Sequence, residues 1–204
     1  MLFDMNYEKI LIFGDSITWG ADDIDGLGWA NRFRKKLESE GADTAVYNLG
    51  IRGDTTSGLL KRFEVEAEAR KSTNICIVFA IGINDSRFIN NLETPETPLE
   101  QFKLNIKELT ELAEKFTKNI IFVGLTNVTP DEINLPRVGK SYIYTNNNIR
   151  NYDQAIENLA KQKGYKFISL QNLLNPEDFY EDGLHPNSKG HTKMCDLISK
   201  YIID

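Results

Sequence analysis

The chain reads as an α/β protein with five parallel strands and helices covering both faces of the sheet. Three observations predict this. Short, wholly apolar runs, Ile10–Phe13 and Ile75–Ile81 the clearest, have the unbroken hydrophobicity of strands buried on both faces. These runs alternate with amphipathic stretches of helical period, the pattern of right-handed β-α-β crossovers. Polar, glycine-bearing turns follow several of the runs, where a parallel sheet would gather them at one edge. At 204 residues the chain fits one domain, 1–204, long enough for a substantial core.

Taken in order, the first run breaks at Gly14, and a short turn presents Ser16 at the strand's carboxyl end. Residues 21–28, with Asp22, Asp23 and Asp25, read as an acidic surface loop. A helix over about 29–40 carries Trp29, Phe33 and Leu37 at helical spacing and stops at Gly41. Residues 44–49 form the second strand, and a loop through Gly53 leads to a helix over about 56–70, with Leu59, Leu60 and Phe63 turned inward. After the third strand, 75–81, a long loop over 84–98 ends in Pro95 and Pro98. The next helix sets Phe102, Ile106, Leu109, Ala113 and Phe116 on one face, and 120–125 is the fourth strand. Residues 126–141 hold Pro130, Pro136 and Gly139 without a clear period and read as a second long loop; such loops are usually functional or mobile. A helix over 146–163 turns Ile149, Tyr152, Ile156, Leu159 and Ala160 inward, 166–170 is the fifth strand, and 188–203 is the last helix.

Ser16 is ordinary turn chemistry by itself. A serine hydroxyl becomes a nucleophile only beside a base, usually a histidine held by a carboxylate. The chain has two histidines. His185 follows Asp182 by three residues in a turn shaped by Gly183 and Pro186, so both side chains can point into one cleft. His191 lies between Lys189 and Lys193 in the last helix and reads as a solvated helix residue. Donors for a tetrahedral oxyanion can come from the Gly53 loop and from Asn84, just past the third strand. Asp15 and Asp85 read as hydrogen-bond supports for these loops, Trp29 as core and Trp19 as a pocket candidate. A metal site from Asp182, His185 and His191 has no recognised ligand spacing, so neither a metal nor any other cofactor is expected. Thr18 stands where a G-x-S-x-G elbow needs its second glycine, and phosphate-loop and dinucleotide fingerprints are missing.

Formal charge is −6 with no basic run, which argues against a nucleic-acid partner. No window is long and apolar enough for a membrane span, and residues 1–9 lack the pattern of a signal peptide. Cys76 and Cys195 read as buried thiols in a reducing compartment, so a cytoplasmic location is expected. Oligomeric state leaves no mark on the sequence.

Gly14-Asp15-Ser16, Gly53, Gly82-Ile83-Asn84-Asp85 and Asp182-x-x-His185 together resemble the four blocks of the SGNH hydrolases, the GDSL-type esterases and lipases. Order and spacing agree from about residue 8 to the end, with Ile17 where the motif's name has leucine. The resemblance implies the flavodoxin-like strand order 2-1-3-4-5. It implies Ser16 as nucleophile, His185 as base and Asp182 as its partner, with the Ser16 and Gly53 amides and the Asn84 side chain as oxyanion hole. The expected activity is hydrolysis of small-molecule carboxylic esters through an acyl-enzyme. The loops look polar and acidic, so short-acyl esters of sugars or aryl alcohols are expected, with anionic groups repelled and Trp19 or Phe88 available to stack on a ring. Lysophospholipase- or thioesterase-like action, acyl transfer, and a non-catalytic carbohydrate- or lipid-binding module are the alternatives.

Overall fold

In the computed structural model, which describes residues 7–203, β1 (Lys9–Gly14) lies inside a parallel sheet between β2 (Ala45–Gly50) and β3 (Ile75–Ala80). Ile10–Phe13 are fully buried, as their unbroken apolarity demands. β5 (Ile120–Val123) and β8 (Lys166–Ile168) complete the order β2-β1-β3-β5-β8. Counting only the strands of this parallel sheet, the order is 2-1-3-4-5, as the resemblance implied. The register sets Gly14 beside Gly50 on one side and Ala80 on the other. Three strands therefore end level, and the loops bearing Ser16, Gly53 and Asn84 leave from one edge at a topological switch point.

Helices α2 (Gly28–Ser39) and α6 (Ser188–Ile203) pack together, as do α3 (Thr56–Glu68), α4 (Leu99–Ala113) and α5 (Asn146–Lys163). Their apolar stripes are those the spacing predicts: Trp29, Phe33 and Leu37 in α2, Phe102, Ile106 and Leu109 in α4, and Ile149, Tyr152 and Ile156 in α5 are buried. Leu60 and Leu159 are half-buried, and Phe116 packs on the core just past α4. Cys76 and Cys195 are buried free thiols, and burial pushes the Cys76 thiol up to about 12. No helix among the described residues is long and apolar enough to cross a membrane. The amino-terminal stretch read for a signal peptide lies largely outside these residues.

Two expectations are corrected. The loop expected over 126–141 is instead a hairpin of β6 (Glu132–Arg137) and β7 (Lys140–Thr145), turning at Val138-Gly139 with Gly139 at φ 76°. With β4 (Phe88–Ile89), from the other expected loop, it forms a small antiparallel sheet in the order β4-β7-β6. Pro136 hid the strand, but β6 is an edge strand, where a missing N–H costs no ladder bond. The second correction is His191, which is fully buried and accepts a hydrogen bond from the Trp29 amide at 3.2 Å. It shares the inward face of α6 with Met194, Cys195 and Ile198, while Lys189 and Lys193 turn to other sides.

Candidate active site

Ser16 opens α1 (Ser16–Trp19), a single helical turn capped by Asp15, whose carboxylate accepts from the Ile17 amide at 2.9 Å. The approach from β1 is tight: a Cβ on Gly14 would stand 2.2 Å from Thr18 Oγ1 and 2.6 Å from the Ala80 carbonyl. Ser16 is thus held at a fixed height above the sheet, almost buried. Burial around Asp15 pushes its carboxyl up to about 7.

The turn after the 3-10 helix Pro176–Asp178 brings in the histidine. Asp182 Oδ1 accepts from the amides of Leu184 (2.9 Å) and His185 (3.0 Å), while Oδ2 lies 2.6 Å from His185 Nδ1. Gly183 sits at φ 69°, where a Cβ would meet the Thr129 carbonyl at 2.0 Å, so only glycine fits. His185 Nε2 lies 2.9 Å from Ser16 Oγ, across 169 residues of chain. For Asp182, burial works against ionisation, but the His185 side chain and backbone bonds outweigh it and hold the carboxyl below its usual range. An ionised carboxylate only accepts, so Nδ1 carries the proton and Nε2 offers its lone pair to Ser16.

Asp85 works as the expected support. It accepts from the Thr56 amide (3.1 and 3.0 Å) and hydroxyl (2.5 Å), tying the loop after β3 to the start of α3. Burial pushes this carboxyl up to about 6. Gly53, at φ 78°, and Asn84 then face a cavity of about 600 Å³ together with Ser16 and His185. Asn84 Nδ2 donates to the Asp54 carbonyl at 2.9 Å, and its Oδ1 accepts from Arg87 Nη1 and from the Tyr144 hydroxyl, both at 2.9 Å.

The remaining wall differs from the expected one. Arg52, Arg87, Leu135, Arg137, Tyr142, Tyr144 and Leu184 line the cavity. Trp19 is half-exposed with the Arg52 guanidinium 5.4 Å above it, and it faces a neighbouring cavity with Asp22 and Asn48. Phe88 lies half-buried in β4 opposite Ile143, outside the Ser16 cavity, and the tyrosines of β7 stand there instead. Period-two spacing of Leu135 with Arg137 and of Tyr142 with Tyr144 was the available signal.

The acidic rim is also corrected. Asp23 is buried, paired with Arg32 and bonded to the Gly28 amide at 2.8 Å, and Asp25 pairs with Arg32 at 3.1 Å. Among the described residues no carboxylate lines the Ser16 cavity, which holds three arginines. Asp22 turns inward, at φ 61°, with Oδ2 3.0 Å from His185 Nδ1, a second carboxylate on the ring that no spacing announced. Asp22, Asp182 and His185 could offer three ligand atoms to a cation, all within 4.8 Å of one another, but one of them is the Nδ1 already bonded to Asp182. His191, the other histidine weighed for a metal, is committed to Trp29.

The chain is 26% identical to the isoamyl acetate-hydrolyzing esterase of Saccharomyces cerevisiae, over 97% of this chain and 87% of that protein. It is 23% identical to an arylesterase of Vibrio mimicus, over 96% and 88%. The fold superposes on an acetylxylan esterase from Geobacillus stearothermophilus with a TM-score of 0.75 at 20% identity, over 96% of this chain and 94% of that one. On a lipase/acylhydrolase from Enterococcus faecalis the TM-score is 0.72 at 23% identity, over 96% and 95%. The model of the GDSL-like lipase/acylhydrolase family matches residues 12–193. The chain therefore belongs to the GDSL-like lipase/acylhydrolase family and is a carboxylic ester hydrolase of that type.

Proposed function

We propose that this protein hydrolyses short-acyl esters, acetyl esters of aryl alcohols or sugars foremost, through an acyl-enzyme on Ser16. The observation that carries the reading is the unbroken chain Ser16 Oγ–His185 Nε2–Asp182, with contacts of 2.9 and 2.6 Å. As Oγ attacks the ester carbonyl, its proton passes to Nε2, and Asp182 stabilises the imidazolium that forms. Negative charge gathers on the former carbonyl oxygen, where the Ser16 and Gly53 amides and the free N–H of Asn84 serve as donors. Collapse of the intermediate breaks the C–O bond to the alcohol, which leaves with the proton from Nε2. Water then attacks the acyl-Ser16 bond by the same route, losing its proton to Nε2, and Ser16 is regained with release of the acid.

The substrate reading rests on the walls and on the relatives. Arginines, Asn84, Gly53 and two tyrosines line most of the cavity, and Leu135 and Leu184 are its aliphatic residues, too few to cover a long acyl chain. Two of the similar proteins are named for acetyl esters. The test is a rate series over p-nitrophenyl esters of increasing acyl length beside acetylated sugars, with Ser16→Ala as control. Acetyl and butyryl esters should give the highest kcat/KM. A preference for ten carbons or more would overturn the substrate class, and an organophosphonate adduct that survives Ser16→Ala would overturn the nucleophile.

A further inference from the structure

Asn84 has four hydrogen-bonding positions on its amide, two N–H donors and two lone pairs on Oδ1. Three are occupied. Nδ2 donates to Asp54 O at 2.9 Å, and Oδ1 accepts from Arg87 Nη1 and Tyr144 Oη, each at 2.9 Å. A guanidinium has no acceptor, so the atom facing Arg87 must be the oxygen and the amide can take only one orientation. The fourth position, the second N–H of Nδ2, has no partner among the described residues, and Asn84 lines the cavity together with Ser16.

From this arrangement we infer that Arg87 and Tyr144 are positioning residues for the oxyanion hole, acting through Asn84. Their two hydrogen bonds to Oδ1 lock the amide and draw electron density toward its oxygen, which makes the opposite N–H a stronger donor to a developing oxyanion. The inference rests on Asn84 being an oxyanion donor, as proposed above.

The surroundings are built for this. Arg87 is buried, its Nε is paired with Glu96, and its guanidinium lies 3.8 Å from the Tyr142 ring centroid. Burial alone would favour the neutral guanidine, but the Glu96 and Tyr144 contacts hold the cation firmly. Burial pushes the Tyr144 phenol up to about 12, so it keeps its proton at any working pH and can donate. The register explains how the three groups meet. Phe88 pairs with Ile143 in the antiparallel β4–β7 ladder, so the residues one step outward, Arg87 and Tyr144, stand opposite each other. Arg87 also donates to the Tyr144 oxygen at 3.3 Å, which closes a triangle on Oδ1. Through Tyr144 the hairpin thereby reaches the Asn84 amide as well as the cavity wall.

The test is a double-mutant cycle read as kcat and KM separately. Tyr144→Phe removes one hydroxyl from a packed ring and should lower kcat roughly three- to tenfold with KM little changed, the size of one neutral hydrogen bond. Arg87→Gln should lower kcat by about 10–100-fold, short of the loss of the donor itself. In an Asn84→Ala background Tyr144→Phe should have no further effect on kcat, because the amide it acts on is gone. Affinity for a boronic acid that forms a tetrahedral adduct on Ser16 should fall in step with kcat. Arg87→Gln also breaks the Glu96 pair, so Tyr144→Phe decides the matter where Arg87→Gln fails to fold. If Asn84→Ala lowers kcat and Tyr144→Phe costs as much in that background as in the wild type, the inference is overturned and the function reading stands. An Asn84→Ala variant with full kcat would overturn the assignment of Asn84, and the inference with it.

Discussion

The two walls of the Ser16 cavity are made in different ways. One is the carboxyl edge of a parallel sheet, where Gly14, Gly50 and Ala80 end level and the loops of Ser16, Gly53 and Asn84 start. The other is an antiparallel hairpin, β6–β7, which contributes Leu135, Arg137, Tyr142 and Tyr144. Position on the sheet edge is set by register and by glycines that tolerate no Cβ. Position on the hairpin is set by a two-residue turn and by short pairing with β4. The difference suits the two tasks proposed for them: bond making needs atoms held to fractions of an ångström, and substrate fit tolerates a wall that varies. Tyr144 crosses between them, since its hydroxyl bonds Asn84.

Substitutions separate the two walls, and their effects rank by how close each lies to the reacting atoms. Ser16→Ala should lower kcat by about 10⁴–10⁶-fold while leaving the thermal transition near that of the parent; kcat within tenfold of the parent would move the nucleophile elsewhere. Asp182→Asn comes next. Loss of the orienting carboxylate costs about 10⁴ where it stands alone, but here Asp22 Oδ2 lies 3.0 Å from the same Nδ1. The expected loss is about 10²–10³-fold, deepening when Asp22→Asn is added, whereas Asp22→Asn by itself should cost only a few-fold. A full 10⁴ loss in the single Asp182 variant would show that Asp22 shares no part of the load. On the hairpin, Leu135→Ala and Arg137→Ala should raise KM about two- to tenfold with kcat nearly constant, the reverse of the sheet-edge variants. A kcat effect there as large as that of Asp182→Asn would erase the division between the walls.

The smallest effect on rate is expected beneath the site. His191 is fully buried, and burial pushes its pKa from 6.5 down to about 4. The unfolded chain takes up the proton near pH 6.5 and the folded one only near 4, so the stabilisation is intact above pH 6.5. It drains away as pH falls to about 4, by roughly 3 kcal/mol in all. Asp15 runs the other way. Its folded pKa of about 7 lies above the ordinary 3.8, so its contribution is lost as pH rises through 7. Urea midpoints for His191→Gln should therefore fall less between pH 6.5 and 4 than those of the parent. An equal fall would place the acid sensitivity in other groups.

Much of the geometry of the sheet edge could be read from residues alone. Ile10–Phe13, Gly14 and Ser16 form a strand, a close approach and a turn by local rules, and Asp182-x-x-His185 carries its own hydrogen-bonded turn. The hairpin was obscured because Pro136 and Gly139 are loop residues in most settings, and only its place at an edge makes β6 permissible. His191 was misread because two lysines nearby outweighed the apolar positions one turn further on. Asp22 had no local signal at all.

By itself the sequence determined the α/β class, the helix faces and the Asp182–His185 turn, because short-range sterics and hydrophobic periodicity act within a few residues; it was the resemblance that joined Ser16 to that pair. Only the tertiary structure decided what surrounds them. It turned the acidic loop's charges onto Arg32 and His185, lined the cavity with arginines in a chain of net charge −6, and closed Arg87 and Tyr144 on one amide oxygen. Hydrogen bonds and ion pairs between residues 57 or 169 positions apart, like Arg87–Tyr144 and Ser16–His185, depend on where the packed elements bring each side chain, and spacing along the chain does not contain that.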